Sequence, residues 1–268
     1  MSDDDSLMVS EVGEWTLEKH ARLKRYIDIS RAVRRKFVRR AGATYIDLFC
    51  GPGKSTIRET GEAIRGSPVV AVATANEGQT PFTDVFLADS DEVAVRAAAD
   101  RVRSLGASVH AEVGPAKETV KKVVAGLDQY ALHFAFLDPF NLDPLPFSVI
   151  EELAHMKRMD MLIHVSIQDL QRNLRRYMEE DDGVLDHFAP GWRQRVDVRS
   201  TDRIVRTEIF RHWLNLIRGL DMEPSEGIER VSGSKNQPLY WLVFVSRHER
   251  AKDFWEKIRN VSSQHPLF

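Results

Sequence analysis

Thr44-Tyr-Ile-Asp47-Leu-Phe49-Cys50-Gly51-Pro-Gly53 is the stretch on which the reading of this 268-residue chain turns. Thr44 to Phe49 is a short β-prone run, and it stops abruptly at a glycine-rich loop that carries Asp47 just before it. In an open parallel sheet, ligands gather at the carboxyl ends of the strands. An acid followed by glycines at such an end is therefore a candidate site, where the glycines let backbone approach a ligand closely.

Working outward, the chain alternates between strand and helix patterns. Upstream, Trp15 to Arg40 has apolar residues at roughly helical spacing, with Thr16 placed to cap its start and Gly42 to end it. Downstream, residues 51–67 contain four glycines and read as a loop, and Ser67-Pro68 opens a short buried helix to Ala75 with Ser as the cap. Strands are expected at Asp84–Ala88, Ser108–Val113, Leu132–Leu137 and Asp160–Val165, with helices at Glu92–Ser104, Ala116–Leu127 and Phe147–Lys157. Strands apolar on both faces and separated by helices imply a parallel sheet covered on both sides. Residues 168–220 break this rhythm with two Arg-rich helices, Gln168–Glu180 and Thr201–Leu220, around a Pro190-Gly191-Trp192 turn. Two late strands, Ile228–Gly233 and Leu239–Ser246, suit an antiparallel hairpin, and a helix from His248 to Val261 follows. The expected architecture is a Rossmann-like α/β fold with a mostly parallel sheet and a terminal antiparallel hairpin. Residues 1–43 form an acidic tail and basic helical arm. Residues 44–268 form the α/β domain, with a helical insertion at about 168–220.

Composition narrows the class. Hydrophobic residues make up 43% and charged residues 29%, a balance that suits a globular chain. No apolar run is long enough to span a bilayer, and the acidic Met1-Ser-Asp-Asp-Asp start is unlike an export signal, so a cytoplasmic protein is expected. The single Cys50 excludes an intramolecular disulfide and multi-cysteine metal sites. The scattered histidines have no metal-ligand spacing, so no metal is expected. The net charge of −2 hides an uneven distribution, because residues 18–40 alone carry ten Lys or Arg against two acids. Arg outnumbers Lys by 27 to 11, which suits phosphate or carboxylate partners, although charge runs are more often simply solvated faces.

Three strand ends hold the chemistry. Asp47 with Phe49, Gly51 and Gly53 is the first, Asp89-Ser-Asp91 the second, and Asp138-Pro139-Phe140 the third. An acid after the second strand is placed to accept ribose hydroxyls, and one after the first can face an amino acid's ammonium. Together they resemble the S-adenosylmethionine site of class I methyltransferases. Gly53-Lys54-Ser55 also imitates the end of a phosphate-binding loop, but that motif needs a glycine where Leu48 stands. A dinucleotide fingerprint lacks its third glycine here, and no helix pattern starts there.

Tyr45–Gly53, Gly66-Ser-Pro68, Phe86–Asp91 and Phe136–Phe140 occur in the order seen in the three-Cys-motif partner protein family. The late Pro238–Val245 strand, the following helix with Trp255, and Lys19-His20 upstream extend that resemblance across roughly residues 15–262. The resemblance implies a methyltransferase-like fold, S-adenosylmethionine as cofactor and a three-Cys-motif protein as partner. Many members are longer, with a C-terminal winged-helix segment. This sequence stops at Phe268, so that segment is not expected.

Among individual residues, Asp47, Phe49, Gly51, Gly53, Asp89 and Asp91 are the cofactor-binding candidates. Asp47 is read as contacting the methionine ammonium, directly or through the glycine-rich loop, with a capping acid that satisfies loop amides as the alternative. Asp89 is the choice for the ribose, with Asp91 suited to cap the next helix, or the reverse. The third strand ends in Val113-Gly-Pro-Ala116, without the acid that often meets the adenine amino group. Asp138, Pro139 and Phe140 resemble the acidic-Pro-Pro-aromatic motif of base amino-methyltransferases with one Pro missing, and they are the catalytic candidates. The same residues can also be a plain strand-ending turn. A Cys-based attack on cytosine is excluded, since Cys50 lies in the cofactor loop and no second Cys exists. Lys19, Arg172, Arg175, Arg176 and Arg206 are candidates for holding an anionic acceptor such as nucleic acid, although Lys19 by its context alone reads as a surface charge. The function expected is methyl transfer to a nucleic acid or a nucleotide-like amine. The competing class is a non-catalytic cofactor-binding or scaffold partner.

Overall fold

In the computed structural model, which describes residues 6–225, 228–232 and 238–260, the apolar runs form the expected parallel sheet. The strands are β1 (Ser10–Val12), β2 (Ala43–Asp47), β3 (Lys54–Ile57), β4 (Ala63–Arg65), β5 (Asp84–Asp89), β6 (Val109–Val113), β7 (Leu132–Leu137), β8 (Met159–Ser166), β9 (Glu223–Pro224), β10 (Glu229–Ser232) and β11 (Pro238–Ser246). The helices are α1 (Trp15–Ile29), α2 (Arg31–Val38), α3 (Ser67–Glu77), α4 (Glu92–Ser104), α5 (Ala116–Ala125), α6 (Phe147–Ala154), α7 (Ile167–Glu179), α8 (Val184–Phe188), α9 (Asp202–Arg218) and α10 (Glu249–Asn260).

The main sheet runs β6-β5-β2-β7-β8-β11-β10, with β9 pairing to β11. β6, β5, β2, β7 and β8 are mutually parallel, and β11 is antiparallel to both β8 and β10. This is the class I methyltransferase arrangement, including its terminal antiparallel hairpin. The strand order reverses at β2, whose two neighbours are β5 and β7, so the carboxyl end of β2 sits at the topological switch.

Alternation along the strands feeds two cores. Tyr45, Val85, Leu87, Phe134, Phe136 and Leu162 face one side, where Leu23 and Ile27 of α1, Val72 of α3, Val95 of α4 and Trp255 of α10 cover them. Ile46, Phe86, Ala88, Ala135, Leu137 and Ile163 face the other, packed with α5, α6 and the helices of residues 167–218. Those last helices bring Trp192, Trp213 and Phe188 into the same core, and a short 3-10 turn at Trp192–Gln194 replaces the simple turn expected there.

The structure differs from the sequence expectations in several places, each with a physical reason. The long helix expected from Trp15 breaks at Ser30. There the buried Arg34 guanidinium donates to the Ile27 carbonyl (2.9 Å) of α1 and, across to the loop after α3, to the Thr80 carbonyl (2.7 Å). Thr16 does not cap α1, whose cap position is Glu14 with no side-chain bond. Residues 51–67 are not all loop, because β3 pairs antiparallel with β4 and parallel with β1 in a separate three-stranded sheet. Nor does Ser67 cap α3. Gly66 takes that position, and the Ser67 hydroxyl donates to buried Asp47 instead.

Candidate functional site

The three strand ends converge as the parallel sheet requires, but they do not contribute equally. A cavity of about 310 Å³ lies at the carboxyl pole of the sheet. Its lining includes Phe49, Gly51 and Gly53 from the loop after β2, and Asp138, Pro139 and Phe140 from the end of β7. The N-terminal segment from Ser10 to His20 supplies another wall, with Lys19 among its residues. That volume is at the small end of the roughly 300–1,000 Å³ typical of small-molecule sites. The segment is fastened in place by β1–β3 pairing and by Arg101 of α4, which donates to the carbonyls of Met8 (2.7 Å) and Pro52 (2.5 Å). One residue thus ties the N-terminal segment to the glycine loop.

Within the cavity, Lys19 Nζ donates to both Asp138 carboxylate oxygens at 2.7 Å. Lys19 is only 6% exposed, so the surface-charge reading of this residue is corrected. Arg22 and Arg34 are buried as well, and the basic arm is therefore not one continuous solvent face. His164 Nδ1 lies 2.9 Å from the Pro139 carbonyl and 3.1 Å from Asp138 Oδ1. Both neighbours are acceptors, which places a proton on Nδ1. Burial, reinforced by Lys19, lowers the His164 and His20 rings to about 4, so both are neutral near pH 7. Burial alone would raise the Asp138 carboxyl, yet Lys19 and then His164 hold it below the usual carboxylate range. Phe140 is 82% exposed at this strand end.

Asp47 does not reach the cavity. It is 0% exposed and accepts from Ser67 Oγ (2.6 Å), Tyr45 OH (3.0 Å) and the Phe49 amide (3.2 Å). Desolvation lifts its carboxyl to about 7, with these three donors pulling the other way. Its place is that of the loop-capping acid, and direct contact with a ligand's ammonium is not open to it. Cys50 is buried, and burial raises its thiol well above the ordinary value.

Asp89 accepts from the Gly51 amide (3.0 Å) through Oδ2 and from the Asp91 amide (3.2 Å) through Oδ1. Asp91 caps α4, accepting from the Val93 (2.8 Å) and Ala94 (3.2 Å) amides. Asp91 thus takes the helix-capping place expected of it, with both amides on one carboxylate oxygen. Neither acid lines the cavity. Gly51 has φ +50°, and a Cβ there would meet nothing within 4 Å, whereas one on Gly53 would press on Val69 and Ala98. Gly51 thus leaves open space in the loop, and Gly53, at φ +77°, combines a left-handed backbone with close packing. Lys54 and Ser55 sit on β3 instead of opening a helix, which removes the phosphate-loop alternative.

The four arginine candidates are not brought to the cavity. Arg175 pairs with Asp202, while Arg176 pairs with Glu180 (3.7 Å) and stacks on Tyr177. Arg172 is exposed on α7 and Arg206 is half-buried on α9. The sequence reading missed His164 and the N-terminal strand as cavity walls. No cluster of potential metal ligands occurs among the described residues, and no helix there is long and apolar enough to cross a membrane.

No protein-family model and no curated protein matches this chain. Solved structures with a similar course include Trm1 from Pyrococcus horikoshii in complex with S-adenosyl-L-methionine, at 13% identity and TM-score 0.45, covering 92% of this chain and 61% of that one. This chain therefore spans less than two thirds of the Trm1 chain. The methyltransferase domain of bacterial CtHen1 is similar at 12% identity and TM-score 0.45, covering 86% of this chain and 99% of that one. LPL1258 from Legionella pneumophila matches at 7% identity and TM-score 0.51, covering 91% and 92% of the two chains. These likenesses concern the fold. The resemblance to the three-Cys-motif partner family rests on the ordered sequence motifs alone.

Proposed function

We propose that this chain is an S-adenosylmethionine-dependent methyltransferase whose acceptor is an amine of a nucleic acid or nucleotide-like group. The observation that carries this reading is that Asp138, Pro139 and Phe140 line one cavity with the Gly51–Gly53 loop, at the switch point of the sheet. The residues present fit the cofactor in part. Gly51 leaves room for it, and the Asp89 carboxylate retains lone pairs for ribose hydroxyls beyond the two amides it already binds. No acid meets the adenine, because Val113 ends β6 and Gly114 instead donates its amide to the Asp89 carbonyl. The cofactor, when bound, supplies an electrophilic methyl group. The chain's own residues position the acceptor: the Asp138 anion and the Pro139 carbonyl accept hydrogen bonds from its amine, and exposed Phe140 offers a stacking face. Positioning of this kind is what attack by a neutral amine on a methyl group chiefly needs. The exposed Arg172 extends basic surface along α7, which begins where β8 ends at the same pole.

One observation favours a second reading. Lys19 already engages both Asp138 oxygens, and Asp47 is sealed by protein donors, so two of the three acidic strand ends are taken up internally. A non-catalytic partner of a three-Cys-motif protein would need neither free. Calorimetry with S-adenosylmethionine and its demethylated product, followed by label transfer from a radioactive methyl donor to DNA, RNA or the partner, separates the two. Transfer to nucleic acid that is abolished in Asp138→Ala is the expected result. Stoichiometric partner binding without transfer to any acceptor would favour the scaffold, and failure to bind either cofactor form would remove the methyltransferase reading.

A further inference from the structure

A second cavity, of about 270 Å³, lies at the opposite pole of the sheet. Its walls include Thr44, Leu132 and Met159, at or beside the amino ends of β2, β7 and β8, together with Ser246 at the carboxyl end of antiparallel β11. α1 and α2 close one side and the start of α10 the other. Ligand sites of open α/β sheets lie at the carboxyl pole, so this cavity belongs to no part of the site described above.

Its chemistry is divided. Ile27, Phe82, Phe134, Met159 and Ala251 are buried and form an apolar floor, to which the half-buried Phe37 and Phe254 add two more rings. Lys36, Lys157, Arg158 and Arg250 line the same cavity but are exposed, and so form its rim. Among the described residues Lys36, Lys157 and Arg250 have no carboxylate partner, and Arg158 makes only a carbonyl bond to Tyr130 (3.2 Å) and a stack on Phe37. Arg34 and Arg247 also line the cavity, with guanidinium groups already bound to backbone carbonyls. The one acid in the lining, Asp160, accepts from Tyr26 OH and Ser246 Oγ. Burial pushes its carboxyl up, which weakens its repulsion of an incoming anion. Unpaired cations around a desolvated aromatic floor attract a negative group while the floor takes up an apolar body.

We infer that this cavity is a binding site for a small amphipathic anion, a molecule with a flat or linear apolar body and one carboxylate or phosphate head. The body occupies the Phe82–Phe134–Phe254 floor, and the head lies among Lys36, Lys157 and Arg250. An elongated polyanion fits less well, because the cations border one hollow with an apolar floor, drawn from three separate segments of the chain.

The test uses the full chain and the fluorescent probe 1-anilinonaphthalene-8-sulfonate. Saturable one-to-one binding is expected, weakened about tenfold in the Lys157→Glu/Arg250→Glu variant. Both residues are exposed, so the fold is retained, and matching far-ultraviolet circular dichroism verifies it. Displacement by octanoate identifies a carboxylate head and displacement by phenyl phosphate a phosphate head, and either supports the site. Unchanged affinity after charge reversal, or equal affinity for the uncharged N-phenyl-1-naphthylamine, overturns it. So does displacement by an oligonucleotide but by neither small anion. Probe binding that is lost in Phe49→Ala but kept in the charge-reversed variant places the probe in the other cavity and also refutes the inference.

Discussion

The two poles of this sheet each hold a buried or half-buried carboxylate, and they treat it in opposite ways. At the carboxyl pole, Asp138 meets the Lys19 ammonium with both oxygens and is held below the usual range. At the amino pole, Asp160 meets two hydroxyls, Tyr26 OH and Ser246 Oγ, each at 2.5 Å, and its carboxyl is raised. Asp47 makes the comparison decisive. It shares the carboxyl pole with Asp138, yet its partners are neutral and its carboxyl rises to about 7. Position in the fold therefore does not set the charge state. Desolvation works against the anion in all three, and only a formal positive charge nearby reverses it. The acid that stays ionised is the one facing the cavity where an amine would be held.

The largest expected effect comes from Asp47. Its carboxyl titrates at about 7 in the folded protein, against about 4 when the chain is unfolded. Between those values the folded state keeps a proton that the unfolded state has released. Stability therefore falls as pH rises through that window and levels off above it, by roughly 4 kcal/mol in total. Asp47→Asn is neutral throughout and should lack this slope. Urea unfolding of both proteins across the window is the measurement, and parallel pH profiles would show that neutral donors hold the anion after all.

Lys19→Met sharpens the other arm of the comparison. It leaves the Asp138 carboxylate, 16% exposed at its side chain, with no facing ammonium. Removing one partner of such a buried pair costs on the order of 3 kcal/mol. Adding Asp138→Asn should recover part of that loss, because the uncompensated charge then disappears. A double variant no more stable than the single would mean that Lys19 contributes packing and not charge.

How far the sequence foretold this contrast depends on the range of the interaction. The strands of the parallel sheet were legible because their apolar runs, Val85–Ala88 and Phe134–Leu137 among them, need no partner to be recognised. Asp91 as the cap of α4 was legible for the same reason, since the signal is local. β1 and β3 were not, because three or four mixed residues carry no period and their pairing joins Ser10 to Ser55. Lys19 was named as a candidate, but its pairing was not legible. Its partner Asp138 is 119 residues away, and nothing in the spacing of ten cations in one segment shows which of them turns inward. The candidate strand ends could be named from sequence, but which acid would be sealed and which kept charged depended on side chains from distant elements.

The smallest expected effect, and the cleanest check on the contrast, is Tyr26→Phe. The ring packs in a tilted arrangement against Phe134 and Phe244 at 4.6 and 4.9 Å between centroids, and phenylalanine keeps those contacts. What is lost is the hydroxyl that donates to Asp160, with Ser246 remaining as a donor. A single hydrogen bond to a partly satisfied acceptor is worth about 1–2 kcal/mol. The loss should stay below that of Lys19→Met, because Asp160 can relieve it by holding a proton, and its carboxyl is already raised. The same reasoning makes the loss smaller in mild acid than at neutral pH. Thermal or urea unfolding of Tyr26→Phe at two pH values tests both statements. A cost equal to that of Lys19→Met, independent of pH, would mean that Asp160 is a committed anion, and the distinction between the two poles would fail.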